Sequence, residues 1–433
     1  WNMFYFVIAI KSIFERRRQY KSLFAVCAVG VCIMLCALMV TDGMVKSMNE
    51  KARQNYGGDL QFMGGHHLEK PLDEADEEEK IIKECLGNRK DITIIKRFNH
   101  DADDDSYYFE GTSVRQRAII GVDFESEKVL FDKFTFVEGS YHPGEYEDTV
   151  LLSEPVARKL GCHVGDSILY VCEDDNDYIN TIEVVLTGIF QDASVFGMYT
   201  SYITYDTLMR ALDREPEIDR ISFYYENGSP SKREQLKLQE SLEAKFNMYP
   251  FGIDKKAFYK DFKYERDKSI NKWCLIPLES NVSDLKLLVQ ALKLIVAAIV
   301  IMLVIIISVG ISSTYRVIVI KRSLESGTLR AIGMKSSGIM KLFISEALLL
   351  LLSGCLTGFI FSAIAVKIAS IFDLSFISGF DLFLTGGHLI ADFNPLKIAG
   401  YVAIIIVTTL VSVLFTLRKL VRISPVGAIT ATT

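Results

Sequence analysis

Nowhere in these 433 residues does the order Gly-x-x-x-x-Gly-Lys-Ser/Thr occur. Without that loop the backbone cannot cradle a nucleotide's phosphates, so any ATP hydrolysis falls to a separate polypeptide. Gly-x-Ser-x-Gly and other nucleophile arrangements are absent too, and no enzymatic activity is expected. The chain has only 6 histidines. His66 and His67 adjoin in a polar Gly-Gly-His-His stretch that His100 or His142 could join around a metal. Adjacent histidines in a polar loop are ordinarily just solvated, and no metal is expected. The acidic runs 73–79 and 103–105 lack the ligand alternation and glycine of an EF-hand loop. The first of them reads as a helix opening, where acids favour the N-terminal end of the dipole. Cysteine is scarce, with 8 residues and no Cys-x-x-Cys. Cys27, Cys32, Cys36 and Cys355 lie in apolar runs, where they act as small apolar residues. Cys85, Cys162, Cys172 and Cys274 allow three pairings, and no disulfide is assigned.

Charge is missing where it matters most. Crossing the ~30 Å hydrocarbon layer takes roughly 20 consecutive apolar residues, and four stretches supply them: 23–41, 294–315, 342–366 and 398–417. The first, second and fourth are uncharged, and the third holds one acid, Glu346, near its start. Ionisable groups inside a membrane mark ion and proton routes. That none lies near the middle of these runs argues against an ion channel or proton-coupled carrier. The first run is too long for a signal-peptide core and lacks a small-x-small cleavage site. Leu35 before Cys36 argues against a lipoprotein anchor. The first run is therefore expected to be a retained span.

The basic residues give the topology. Lys11, Arg16, Arg17, Arg18 and Lys21 stand before the first run against Glu15 alone. Arg316, Lys321, Arg322, Arg330, Lys335 and Lys341 stand between the second and third against Glu325, and Arg418, Lys419 and Arg422 follow the fourth. Residues 43–286 carry 31 Lys and Arg against 47 Asp and Glu. Short basic loops stay inside, which predicts a multi-pass protein of the cell's inner (cytoplasmic) membrane with both termini cytoplasmic. The expected division is an interfacial amphipathic helix at 1–22, resting on membrane lipid, and a first span at 23–44. An extracytoplasmic domain with stalks follows at 45–285, then a stalk and second span at 286–315. A cytoplasmic loop at 316–341 leads to the third span at 342–366, an outside loop at 367–397, the fourth span at 398–417 and a cytoplasmic tail at 418–433.

The fold class expected is thus an α-helical membrane protein, one span N-terminal and three C-terminal, with a large mixed α/β domain outside. Strand-like runs in that domain are 93–96, 149–152, 168–171, 182–190 and 221–225. One helix should start at Ser153 with Pro155 in its first turn and stop at Gly161. Another covers 205–212, and a third starts near 229–230 and presents Leu236, Leu242 and Phe246. The first span should continue outward to Tyr56-Gly57-Gly58, and Ser283 should cap a helix running into the second.

Taken alone, Glu325-Ser-Gly-Thr-Leu-Arg-Ala-Ile-Gly-Met334 is a basic loop with two glycines. It also resembles the coupling region of the FtsX/MacB-like ABC permease family, of the MacB and lipoprotein-releasing LolC/LolE type. Three further stretches agree: Ile344-Ser-Glu346-Ala-Leu-Leu-Leu, the tail 422–429 (Arg-Ile-Ser-Pro-Val-Gly-Ala-Ile), and 149–161 with 164–166 and Leu186-Thr-Gly-Ile-Phe190. Gly427 departs from the family, which usually has Glu there. The resemblance implies a permease that couples a separate P-loop ATPase dimer to the spans through Glu325, Gly327, Thr328, Leu329, Arg330, Ala331, Ile332, Gly333 and Met334. Leu329, Ile332 and Met334 would form an apolar knob for the partner, and Gly327 and Gly333 would permit tight turns or close approach. Glu346 is the membrane-embedded acid. The resemblance further implies a second permease chain and an extracytoplasmic carrier or lipoprotein substrate. ATP and Mg would sit on the partner ATPase, with no cofactor in this chain and no nucleic acid. Its roles are lipoprotein release or export of peptides and drugs; the alternative is an FtsX-type signalling subunit that controls extracytoplasmic wall hydrolases. A sensor receptor is disfavoured, because the cytoplasmic pieces are too short for a kinase or cyclase.

Overall fold

The computed structural model describes residues 3–421, except 66–71, 73–74, 88, 143, 145, 175–177, 253–271, 376 and 378. The tail motif 422–429 and the histidine pair 66–67 therefore lie outside the described residues. The chain divides into two compact units: residues 1–44, 290–372 and 389–433, and residues 45–289 with 373–388.

The first unit is built from helices. α1 (Met3–Glu15) stops one residue before α2 (Arg17–Tyr56) begins, so residues 17–22, expected in the interfacial helix, are instead the first turns of the span helix. α9 (Ser283–Lys321), the short α10 (Ser323–Ala331), α11 (Ser336–Ala369) and α12 (Pro395–Val421) complete it. Four helices are long and apolar enough to cross a membrane: Arg17–Tyr56, Leu285–Lys321, Ser336–Ala369 and Pro395–Arg418. Each contains one of the apolar runs, and α1 packs against α11.

Inside lipid there is no hydrophobic drive between helices, so small residues and polar contacts must hold them together. Gly354 and Gly358, four apart on α11, meet that need. A Cβ on Gly354 would stand 2.7 Å from Cys27 Sγ, and one on Gly358 would stand 2.7 Å from the Ala28 carbonyl oxygen. These are distances at which no side chain fits, so α2 and α11 touch almost backbone to backbone. On another face, Ser308 and Thr409 hydroxyls lie 3.2 Å apart, and Ser312 reaches Thr416 at 2.7 Å. Those bonds tie α9 to α12 and leave no hydroxyl of the four facing lipid unpaired.

The second unit is a mixed sheet with helices on it. Among the described residues its strands are β1 (Leu60–Gly65), β2 (Ile92–Asp101), β3 (Ser106–Phe109), β4 (Thr112–Arg115), β5 (Ala118–Val122), β6 (Phe136–Gly139), β7 (Thr149–Ser153), β8 (Ser167–Glu173), β9 (Ile179–Phe190), β10 (Thr200–Thr204), β11 (Arg220–Tyr225) and β12 (Lys272–Pro277). Their order is β12-β1-β11-β2-β5-β10-β7-β9-β8-β3-β4, with β6 on β9. The pairs β5–β10 and β7–β9 are parallel. Every residue of central β7 is buried, whereas β8, nearer the edge, alternates, as two covered faces against one require. Five strands were legible in advance, although β2 runs well past the end of the stretch 93–96 read for it.

Helix α3 (Ala75–Cys85) opens on Asp76, Glu77 and Glu78, as the acidic run foretells. Helix α4 (Lys128–Phe131) is one turn. Helix α5 (Glu154–Leu160) has Ser153 as N-cap, Pro155 in its first turn and Gly161 at φ +77° as its left-handed stop. Helices α6 (Tyr205–Ala211) and α7 (Lys232–Glu243) follow, α7 closed by a Ser231–Glu234 capping box. Of the three residues expected on the packed side of α7, Leu242 and Phe246 pack and Leu236 does not. Leu238 and Leu242 are buried while Leu236 is 40% exposed, and Phe246 packs from beyond the helix end. Phe131 gathers Phe124, Phe134 and Tyr202 with ring centroids 5.0–5.4 Å away, each pair adding about 0.5–1.5 kcal/mol beyond burial. All eight cysteines are free.

Three cations fasten the last turns of α2 into this second unit, next to α8 (Leu278–Asn281) and its neighbours. Arg97, fully buried on β2, donates through Nη1 to the carbonyls of Gln54 (3.1 Å) and Asn55 (3.0 Å). Those are carbonyls that a helix end leaves without partners. Its Nε meets Glu127 Oε2 at 2.9 Å. Burial pushes the Glu127 carboxyl up and the guanidinium opposes that. Arg53 donates to Asp59 (2.9 Å) and to the Tyr225 carbonyl (2.7 Å). Lys51 bridges Asp381 (2.6 Å) and Asp192 (3.1 Å). Burial raises the Asp192 carboxyl, and Lys51 holds it back.

Candidate coupling segment

The loop between the second and third span helices contains α10, a helix of 9 residues, where the resemblance implies a short coupling helix. Its end is set by Gly333, at φ +100°. The Gly333 N–H reaches the Arg330 carbonyl at 2.9 Å and Met334 N–H the Leu329 carbonyl at 3.0 Å, a left-handed stop that only glycine takes without strain. Gly327 needs no such freedom. It sits inside the helix, and a Cβ there would meet nothing within 4 Å. The expectation of a tight turn holds for Gly333 and fails for Gly327.

Helical spacing then sorts the apolar residues. Leu329 and Met334 turn inward and pack against the core of the span helices. Leu324, Thr328, Ala331 and Ile332 face out, with Leu324 71% and Ile332 84% exposed. Of Leu329, Ile332 and Met334, expected to form an apolar knob for a partner, only Ile332 is exposed. The exposed apolar side chains of the segment include Leu324 and Ile332, because its inward side is already spent on the chain's own core. Glu325 and Arg330 are half-buried.

Behind the segment lies an ion network. Glu346, 0% exposed, accepts from Arg322 Nη1 at 2.6 Å and from the Tyr20 hydroxyl at 3.0 Å. Arg322 Nε meets Glu325 Oε2 at 2.9 Å, and Arg16 pairs with the other Glu325 oxygen. Two guanidinium and two carboxylate groups cancel, which is the condition for keeping charges away from water. Arg322 is held above its ordinary range: burial works against its charge, and Glu346, Tyr20 and Glu325 together outweigh burial. Glu325 is lowered, since Arg322 and Arg16 more than offset its partial burial. The network joins the start of α2, the end of α9, α10 and α11. The acid in the third run signalled it, and a pairing between Glu346 and the basic loop was open to sequence reasoning. Which of six basic residues would pair, and that Tyr20 would complete the set, was not.

Residues 295–425 match the family described as FtsX-like permease C-terminal. No curated protein sequence matches the chain. Among solved structures it is similar to the periplasmic region of MacB from Actinobacillus actinomycetemcomitans, over 53% of this chain and 92% of that one, at 9% identity and a TM-score of 0.31. That likeness is too loose to carry any argument. The matched stretch contains Arg322, α10 and Glu346, so the coupling segment and its ion network lie within the part of the chain that matches the FtsX-like permease C-terminal family.

Proposed function

We propose that this permease subunit receives ATP-driven motion from a separate P-loop ATPase dimer on the exposed face of α10 and passes it along α2 and α9 to the second unit, outside the membrane. A second permease chain would complete the complex. The observation that carries this reading is the continuity of α2. At 40 residues and 1.5 Å each it is about 60 Å long, twice the ~30 Å that a bilayer core needs. Its last turns are fastened by Lys51, Arg53 and Arg97 within the second unit. A helix held that firmly at one end and packed through Cys27 and Ala28 at the other can convey tilt or displacement as a lever does. Both termini and α10 lie in the cytoplasm in this reading, on the strength of the basic loops.

Lipoprotein release is the favoured role. Its support is an apolar cleft of about 580 Å³ among α2, α9 and α12, lined by Leu38, Val300, Val304, Ile305 and Ile404, with Thr41, Asp42 and Lys293 among its polar residues. Such a cleft suits acyl chains better than a hydrophilic peptide. In membrane vesicles bearing this chain and its ATPase, ATP should move lipid-anchored proteins into the soluble fraction. Val304→Trp should lower that release severalfold while ATP hydrolysis persists. Vesicles that hydrolyse ATP, release no lipoprotein and accumulate or expel a peptide instead would sink this role.

A further inference from the structure

A second groove lies in the first unit, at the start of the span bundle, and the coupling mechanism does not use it. It encloses about 390 Å³ between α1, the first turns of α2 and α11. Ile10, Ile13 and Phe14 form one wall, Phe24 another, and Leu349 and Leu350 the floor. Two more lining residues, Arg17 and Lys21, differ from all of these. They are one helical turn apart, so they share a face of α2, and both are exposed. Neither has a carboxylate partner among the described residues, although Arg16 and Arg322 close by are paired with Glu325. An apolar slot with two unpaired cations fits a molecule with a hydrocarbon tail and an anionic head.

We propose that this groove is a site for one anionic phospholipid, its phosphate held between Arg17 and Lys21 and one acyl chain laid on Ile13, Phe24 and Leu350. The charge complementarity sets the occupant. A zwitterionic lipid would bring its own cation against two others, whereas an anionic headgroup brings only the charge that is missing. The site also borders the ion network. Tyr20 lines the groove and donates to Glu346, so a lipid seated there touches the residue that completes the set behind α10.

Native mass spectrometry of the full-length purified chain tests this with phosphatidylglycerol and phosphatidylcholine of identical acyl chains. The wild type should retain phosphatidylglycerol preferentially as a single bound lipid. Each basic residue at a membrane surface contributes about fivefold, so Arg17→Gln/Lys21→Gln should weaken that lipid roughly 25-fold and erase the preference. Lys11→Gln/Arg18→Gln removes two exposed cations outside the groove and should leave it nearly intact. Leu350→Trp should reduce retention of both lipids by filling the floor. The thermal unfolding midpoint of each variant shows whether it is folded. Equal retention of the two lipids by the wild type would overturn the site. So would equal losses in the two double variants, which would mean diffuse surface attraction in place of a built groove.

Discussion

Ile332→Asp is expected to abolish association with the ATPase while leaving the permease folded and inserted. At 84% exposure Ile332 supports nothing within its own chain, so the substitution costs the monomer little. Buried against a partner, an aspartate without a counter-charge costs several kcal/mol, about 3–5 by analogy with broken buried pairs. That is a factor of roughly a hundred to several thousand in affinity. Leu329→Asp is a different experiment, since Leu329 packs on the core of the span helices. It should destabilise the permease itself, and loss of complex would then follow from loss of fold. The matched control is Ser337→Asp, also exposed, just beyond the segment, and expected to be nearly silent. Co-purification through a tag on the ATPase reads all three. Wild-type recovery of ATPase with Ile332→Asp would remove α10 as the docking element.

The second large effect lies where α2 ends. Arg97→Met should destabilise the second unit by about 3–5 kcal/mol, because it leaves Glu127 buried and uncompensated. Glu127, like Arg97, is 0% exposed. The same change strips the donors from the Gln54 and Asn55 carbonyls, which adds the cost of unsatisfied helix-end groups. These two losses separate in the double variant Arg97→Met/Glu127→Leu. Removing both charges should recover most of the electrostatic penalty, leaving a residue of about 1 kcal/mol from the lost hydrogen bonds. Trp273 reports on the unfolding, since its Nε1 donates to Glu78 within this unit at 2.9 Å. Denaturant curves following its fluorescence should therefore show the single variant well below the double. Stability of Arg97→Met within about 1 kcal/mol of wild type would show that the helix end is not fastened in this way.

What could be read in advance follows a physical pattern. The span helices needed only counting, because a bilayer demands length and the absence of charge and little else. Strands such as β7 and β11 stood out because all their residues are buried and apolar residues dominate them. β1 and β12 did not: one ends in Gly64-Gly65 and the other in Pro277, and each is stabilised by pairing with the other across more than 200 residues. Arg97 was illegible for a related reason. An arginine in a strand ordinarily faces water, and its partners Glu127 and the end of α2 are set only by tertiary structure. Glu346 was conspicuous as an acid in an apolar run, yet its partner depended on where α9 ends and α10 begins. At α7 the helix was legible but not every inward residue, and at α10 only the resemblance implied a helix, with its phase left open. Leu329 and Ile332, like Leu236 and Leu238, are equally apolar, and which one faces inward depends on where the core lies.

The central claim is that this chain is the non-hydrolysing half of an ATP-driven machine, and ATP turnover tests it most directly. The purified permease should hydrolyse none by itself. Reconstituted with a separate P-loop subunit in lipid, the pair should hydrolyse ATP, and a lipoprotein substrate should raise that rate with wild-type permease but not with Ile332→Asp. Turnover by the permease after removal of every other polypeptide, or a rate indifferent to whether the permease is present, would contradict the account.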